Sequence, residues 1–265
     1  MERTDVKESY AHRADHITGT KLGSPYPLRR YVHAQQYESV ASYIQPCMRV
    51  LDAGCGEGTL SFLLAERGAT VVACDISEPN IEYAKKQPNP HHIEFLTADL
   101  ENLPFEDGSF DLVISSHVLE HLPDFEKGLR EIMRVTRSQA VVAIPTVFSP
   151  CSLVQVGHGW FYLKGPRSFA AFFVGVSKMV VALLRGAEGV DEGYGGTNLP
   201  HVFRFPWILP RMVMKNGWRV EKQEADSLCL PYFDAFLPIV RWLNARKGGF
   251  ILRNFGYGTL YFIEK

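Results

Sequence analysis

The sequence predicts an α/β fold built on a doubly wound, mainly parallel sheet, and three observations carry that prediction. From Arg49 onward, short β-branched runs alternate with longer helix-patterned ones. The runs near Val50, Val71, Val113 and Val142 lack strict apolar/polar alternation, as expected of strands covered by helices on both faces. A glycine-dense turn follows the first of these runs, where an open α/β sheet places its ligand site.

The first 45 residues carry little periodic pattern, except that Leu28 to Ile44 spaces apolar and aromatic residues as an amphipathic helix would. RVLDA then reads as a strand, TLSFLLAERG as a helix, TVVACD as a strand and EPNIEYAKK as a helix. HIEFLTAD and FDLVISS read as strands, FEKGLREIMRVT as a helix and QAVVAIP as a strand. After Pro145 the rhythm breaks, and residues 146–203 hold glycines, prolines and aromatics around one apolar run, Ser168 to Leu184. It resumes with a helix at Phe205 to Gly217 and a strand at Trp218 to Ala225; an irregular stretch at about 226–257 precedes the closing strand GTLYFIEK. The chain thus divides into an N-terminal helical cap (1–45), a ligand-binding core (46–145), an inserted lid (146–203) and a segment (204–265) that completes the sheet around a second insertion.

Composition narrows the function. With 28 basic against 29 acidic side chains the net charge is −1, which argues against a nucleic-acid partner, since neutralising phosphates usually needs a basic face. Five cysteines, an odd number with no CxxC pair, read as reduced thiols and a cytoplasmic location. The opening MERTDVKESYAHRADH lacks the apolar core of a signal peptide.

The most informative segment is VLDAGCGEGTL, Val50 to Leu60. Glycines between a strand and a helix let the backbone approach a ligand closely. A dinucleotide fingerprint, GxGxxG, would need glycine at position 59, which is Thr59; the pattern present is Gly54, Gly56 and Gly58 with Asp52 just before. The second strand ends in Asp75, suited to a ribose diol, and the third in Asp99, suited to an adenine amine with Leu100 on the ring. A lone aspartate at such a place is as readily a helix cap or turn residue. Three at consecutive strand ends favour a site.

These stretches, with VVACDISEPNIEYAKK, IEFLTADLENLPFEDGSFDLVISSHVLEHLPD and LREIMRVTRSQAVVAIP, resemble the class I S-adenosylmethionine-dependent methyltransferases, in the group that includes ubiquinone/menaquinone-biosynthesis and natural-product enzymes. The resemblance covers about Arg49 to Pro145 and continues in the last two strands. It implies a Rossmann-like seven-stranded sheet in the order 3-2-1-4-5-7-6, the seventh strand antiparallel. It also implies S-adenosyl-L-methionine as cofactor, with Asp52, Gly54, Cys55, Gly56 and Gly58 around its methionine part. Asp75 would then hold the ribose, Ile76, Asp99 and Leu100 the adenine, and Ser116 or His117 would close the pocket.

Other motifs compete. HVLEH, His117 to His121, fits the H-x-x-E-H zinc signature, but it follows a buried strand at once and Pro123 arrives two residues later, so a long zinc-binding helix is not expected and no metal is assigned. Cys151 in FSPCS invites comparison with the nucleophilic cysteine of base methyltransferases, yet without a basic face a buried thiol is the better reading. Candidate bases for a hydroxyl acceptor are His117, His121, His158 and His201, with His158, between glycines and aromatics, and His117 favoured. The run at 168–185 is too short and interrupted to span a bilayer, which takes about 20 residues; a lid, a homodimer contact and a peripheral membrane contact stay open. The expectation is methyl transfer to a small molecule, an oxygen of a lipophilic, aromatic or glycosylated metabolite. An NAD-dependent oxidoreductase and a non-catalytic S-adenosylmethionine-binding protein are the alternatives.

Overall fold

The computed structural model of the protein describes residues 3–12, 21–158, 166–192, 200–229 and 234–265. Strands β1 (Arg49–Ala53), β2 (Thr70–Asp75), β3 (Glu94–Thr97), β4 (Phe110–Ser116) and β5 (Thr136–Ile144) run parallel, side by side in the order β3-β2-β1-β4-β5. A separate antiparallel pair, β6 (Gly189–Asp191) and β7 (Val202–Arg204), lies outside that sheet. The main sheet is completed by β8 (Arg219–Ala225) and β9 (Thr259–Glu264), with β9 antiparallel to both β5 and β8. Setting the small pair aside, the seven strands follow the expected order.

The missing alternation has its cause in the packing. Val50, Leu112 and Val141 face one side, against Leu64, Ile81 and Val40 from helices. Their neighbours Leu51, Val113 and Val142 face the other, against Leu129, Ile132, Leu209 and Val213. Each such side chain contributes roughly 1.5–3 kcal/mol by leaving water, so either register of polar residues would be costly.

Among the described residues are nine helices: α1 (Arg3–Ala11), α2 (Pro27–Ala41), α3 (Thr59–Glu66), α4 (Glu78–Lys85), α5 (Phe125–Val135), α6 (Pro150–Val156), α7 (Pro166–Leu184), α8 (Ile208–Lys215) and α9 (Leu237–Asn244). Ser77 and Asp124 start α4 and α5 by accepting the backbone N–H of Asn80 (3.2 Å) and Lys127 (3.0 Å). Leu28 and Val32 of α2, Cys151 and Val154 of α6, Ala171 of α7 and Val240 of α9 share one cluster. Helices α2, α6, α7 and α9 therefore pack against one another.

Several features differ from the sequence reading, among them α6 and α9, which form inside stretches read as irregular. Helix α1 lies where no element is expected, because it is polar and is held by long-range side-chain contacts instead of an apolar stripe. The β6–β7 pair falls in a stretch read as irregular; three-residue strands are too short to show a period. Strand β3 ends at Thr97, so Asp99 sits two residues past the strand, in the following turn. Parts of the inserted lid, 159–165 and 193–199, lie outside the described residues. The apolar run forms α7 as expected, and its outward side chains include Phe169 and Phe173, each 65% exposed. Among the described residues no helix is long and apolar enough to cross a membrane.

Candidate functional site

The glycine turn after β1 is fixed from below. The backbone N–H groups of Gly54 and Cys55 both donate to the carbonyl of Cys74 on β2, at 2.7 and 2.9 Å. Gly54, Gly56 and Gly58 have φ of +87°, +54° and +85°, the left-handed region where a side chain is strained. At Gly54 an added Cβ would stand 2.3 Å from Val118; at Gly56 it would meet nothing within 4 Å, so the turn presents bare backbone to an open space. Gly56 N–H donates to Asp75 Oδ2 (2.8 Å) and Ser77 N–H to Asp75 Oδ1 (2.8 Å). The acid at the tip of β2 is thereby held rigidly beside the turn.

Beneath the turn Asp52 is buried, and the Ser61 hydroxyl donates to its Oδ2 at 2.6 Å. Burial pushes its carboxyl up to about 7, against the Ser61 hydrogen bond, with Asp75 nearby raising it further. Burial likewise drives the Cys55 thiol well above its usual range. Beyond β3, Asp99 Oδ1 accepts Glu101 N–H (2.9 Å) and Asp99 Oδ2 accepts Lys7 Nζ from α1 (2.5 Å); Lys7 also reaches Glu101 at 2.9 Å. Leu100 is buried beside Asp99, while Ile76 and Ser116 are half-buried.

His117 follows β4 with φ +57° and takes part in a network the sequence does not announce. Its Nε2 lies 2.8 Å from Asp226 Oδ2 and its Nδ1 3.4 Å from Glu120 Oε1. Gln36 Nε2 donates to the same Asp226 oxygen at 2.7 Å. Burial opposes charging the imidazole, yet the two carboxylates outweigh it and hold His117 as imidazolium, pushed up to about 9. It is a donor at this site, fixed from both nitrogens. His33, buried and pushed down to about 3 mainly by desolvation, stays neutral; Tyr257 stands 5.5 Å from its ring and 5.6 Å from that of His117.

The structure brings Asp52, Gly54, Cys55, Gly56, Gly58 and Asp75 together, with Val118 of the HVLEH turn against Gly54. It does not bring His158 there by any contact among the described residues: its Nδ1 is 2.7 Å from Glu192 Oε1, and Lys178 Nζ donates to its Nε2 at 2.9 Å. Cys151 is buried and its thiol is driven far up by desolvation, so it is the inert thiol expected. Sequence reasoning missed Lys7, Gln36 and Asp226. No local pattern signals them, because their partners lie 92, 81 and 109 residues away.

Bare backbone over an open space, a strand-tip carboxylate and a second acid with an apolar neighbour fit an adenosyl ligand: acceptors for a diol and an amine, and close approach elsewhere. Residues 51–144 match the family model described as a methyltransferase domain. The chain carries a class I S-adenosylmethionine-dependent methyltransferase domain.

The methyltransferase domain is similar to malonyl-acyl-carrier-protein O-methyltransferase of Serratia marcescens, 35% identical over 127 residues, which are 48% of this chain and 49% of that protein. It is also similar to demethylmenaquinone methyltransferase of Clavibacter sepedonicus, 38% identical over 118 residues, 44% of this chain and 48% of that protein. The chain thus spans about half the length of the curated relatives it matches. Among solved structures, magnesium protoporphyrin IX methyltransferase from Synechocystis PCC 6803 with bound SAM superposes with a TM-score of 0.58 at 16% identity, covering 99% of this chain and 96% of that one. At that identity the likeness speaks for the fold, which extends through the methyltransferase domain and its insertions.

Proposed function

We propose that the whole protein is a methyltransferase that moves a methyl group from S-adenosylmethionine to a small-molecule acceptor, an oxygen of a lipophilic, aromatic or glycosylated metabolite. The observation that carries this reading is the left-handed glycine turn locked to Asp75, on the fold and in the family just described. The cofactor supplies an electrophilic methyl on a sulfonium, which an acceptor displaces in line. Asp75 accepts from the ribose diol, Asp99 from the adenine amine, and Ile76 and Leu100 flank the ring. The turn from Asp52 to Gly58 takes the methionine part, and Ser116 and His117 close the far edge.

For the acceptor, the similarity to a protein named as an O-methyltransferase favours oxygen. As an imidazolium with its two N–H groups turned to Asp226 and Glu120, His117 lines the pocket edge and does not remove a proton from the acceptor. His158 is the other candidate for proton handling, since Glu192 orients its imidazole, although Lys178 engages the second nitrogen. A cytoplasmic location goes with this reading, and the exposed side of α7 is its candidate contact with a second copy or a membrane surface.

Titration calorimetry with S-adenosylmethionine, S-adenosylhomocysteine and NAD tests the cofactor assignment. The expected result is that both adenosyl ligands bind and NAD does not, and that the Asp75→Ala variant binds the adenosyl ligands at least about tenfold more weakly, the loss expected for hydrogen bonds to a charged acceptor. Tight NAD binding, or full affinity in Asp75→Ala, overturns the reading.

A further inference from the structure

We infer that Glu120, His121 and His201 form a binding site for a divalent transition-metal cation of the zinc type, with a coordination position left for water or an oxygen of a substrate. Their ligand atoms all lie within 4.8 Å of one another. Two of them come from the 3-10 turn after β4 (Leu119–His121) and the third from the start of the β6–β7 return, 80 residues on in the chain.

The first support is an orphaned oxygen. Glu120 is only 2% exposed, and its Oε2 is buried with no hydrogen-bond partner among the described residues, while Oε1 faces His117. A buried carboxylate oxygen left without a donor is costly, so such an atom calls for a ligand. A cation beside it would supply one.

The second support is the tautomer of His121. Its Nδ1 lies 3.1 Å from the carbonyl oxygen of Pro200 and 3.1 Å from the Tyr10 hydroxyl, which itself donates to that carbonyl at 3.4 Å. A carbonyl only accepts, so Nδ1 carries the hydrogen and Nε2 keeps its lone pair. That lone-pair nitrogen stands 4.0 Å from Glu120 Oε1, too far for a hydrogen bond and suited to an ion between them. A ligating histidine whose other nitrogen donates to a backbone carbonyl is the usual way an imidazole is aimed at a metal.

His201 is held beside His121 by its own surroundings. Its backbone N–H donates to Asp191 Oδ1 at 3.1 Å, the Phe203 ring lies 4.6 Å from its ring, and its imidazole stands 4.8 Å from that of His121 at 28°. Two nitrogens and one carboxylate oxygen are a donor set that zinc takes, with bonds of about 2.1 Å and tetrahedral ligand separations of about 3.4 Å. The sequence argument against zinc at HVLEH supposed His117 and His121 on a long helix. In the fold His117 is committed to Asp226 and Glu120, and His201 takes the place it would have had.

The turn that holds Glu120 and His121 also holds Val118 against Gly54, so a substrate oxygen on the metal would sit beside the cofactor turn. That use of the open position rests on the proposed methyl transfer; metal binding does not.

Protein freed of metal by chelation and dialysis is titrated with zinc by calorimetry and with cobalt by visible absorption. The expected result is one equivalent bound with cobalt bands of a low-coordinate nitrogen/oxygen site, an affinity at least about a hundredfold weaker in His201→Ala and in Glu120→Gln, and about tenfold weaker in Tyr10→Phe. Because Glu120 also supports His117, His201→Ala, at a partly exposed position, carries the decision. No stoichiometric binding, or unchanged affinity in His201→Ala, overturns the site. S-adenosylhomocysteine titrated into the same samples reports separately on the cofactor pocket, so a failure there leaves the metal result standing.

Discussion

Asp52 carries an electrostatic cost that its neighbours only partly offset. A buried carboxyl whose ordinary value is 3.8 and whose folded value is about 7 is protonated in the fold and ionised in the open chain between those limits. The native state then binds more protons than the unfolded one, so stability is full below about pH 4 and falls by roughly 1.4 kcal/mol per pH unit until about pH 7. Asn keeps an oxygen for the Ser61 hydroxyl and removes the titration. Asp52→Asn should therefore gain on the parent protein as pH rises, the difference in melting temperature being about 5–10 °C larger at pH 8 than at pH 5. An equal difference at both pH values would mean that Asp52 is ionised throughout.

Helices α6 and α7 meet through glycine. A Cβ on Gly175 would lie 1.8 Å from the carbonyl oxygen of Leu153, and one on Gly157 1.7 Å from that of Ala171, so the two backbones touch at both crossings. In an unpacked helix, Gly→Ala stabilises by roughly 0.5–1 kcal/mol. Here overpacking of backbone against backbone costs about 1–3 kcal/mol or more and decides the sign. Gly175→Ala should lower the melting temperature by several degrees while leaving S-adenosylhomocysteine affinity intact, since nothing in the α6–α7 contact touches Asp75 or the glycine turn. A neutral or stabilising result would place α7 elsewhere. The sequence reveals that α7 exists, because its apolar run is long. Which face it buries is not legible, because Phe169, Phe173 and Leu184 are as apolar as the residues facing α6 yet stand exposed.

The same division holds for the whole molecule. The strands and the Asp52–Asp75 half of the candidate site are legible because each rests on local chemistry: continuous apolar strands, glycines where the turn takes positive φ, acids at the ends of strands; the sheet order is legible only through the family resemblance. The Asp226–His117–Glu120 network and the Lys7–Asp99 pair are not, since closing them takes the whole fold and leaves no period in the sequence. Helix α1 is tied down in the same long-range way. It buries Val6, pairs Lys7 with Asp99 and Glu101 past β3, and sets Tyr10 on His121 past β4, so it bridges the two sides of the proposed cofactor site. If Asp99 takes the adenine amine as proposed, the amine must compete there with Lys7. Lys7→Met keeps the apolar stem and removes the latch. A partly exposed ion pair is worth about 1 kcal/mol at most, roughly fivefold in a rate. Stopped-flow binding of S-adenosylhomocysteine should show association faster by up to about fivefold in Lys7→Met, with dissociation little changed and affinity higher by the same factor, because the pair the ligand displaces exists only in the free protein. If both rates match those of the parent protein, Lys7 does not compete at this site; if only dissociation rises, Lys7 contacts the bound ligand and does not compete with it.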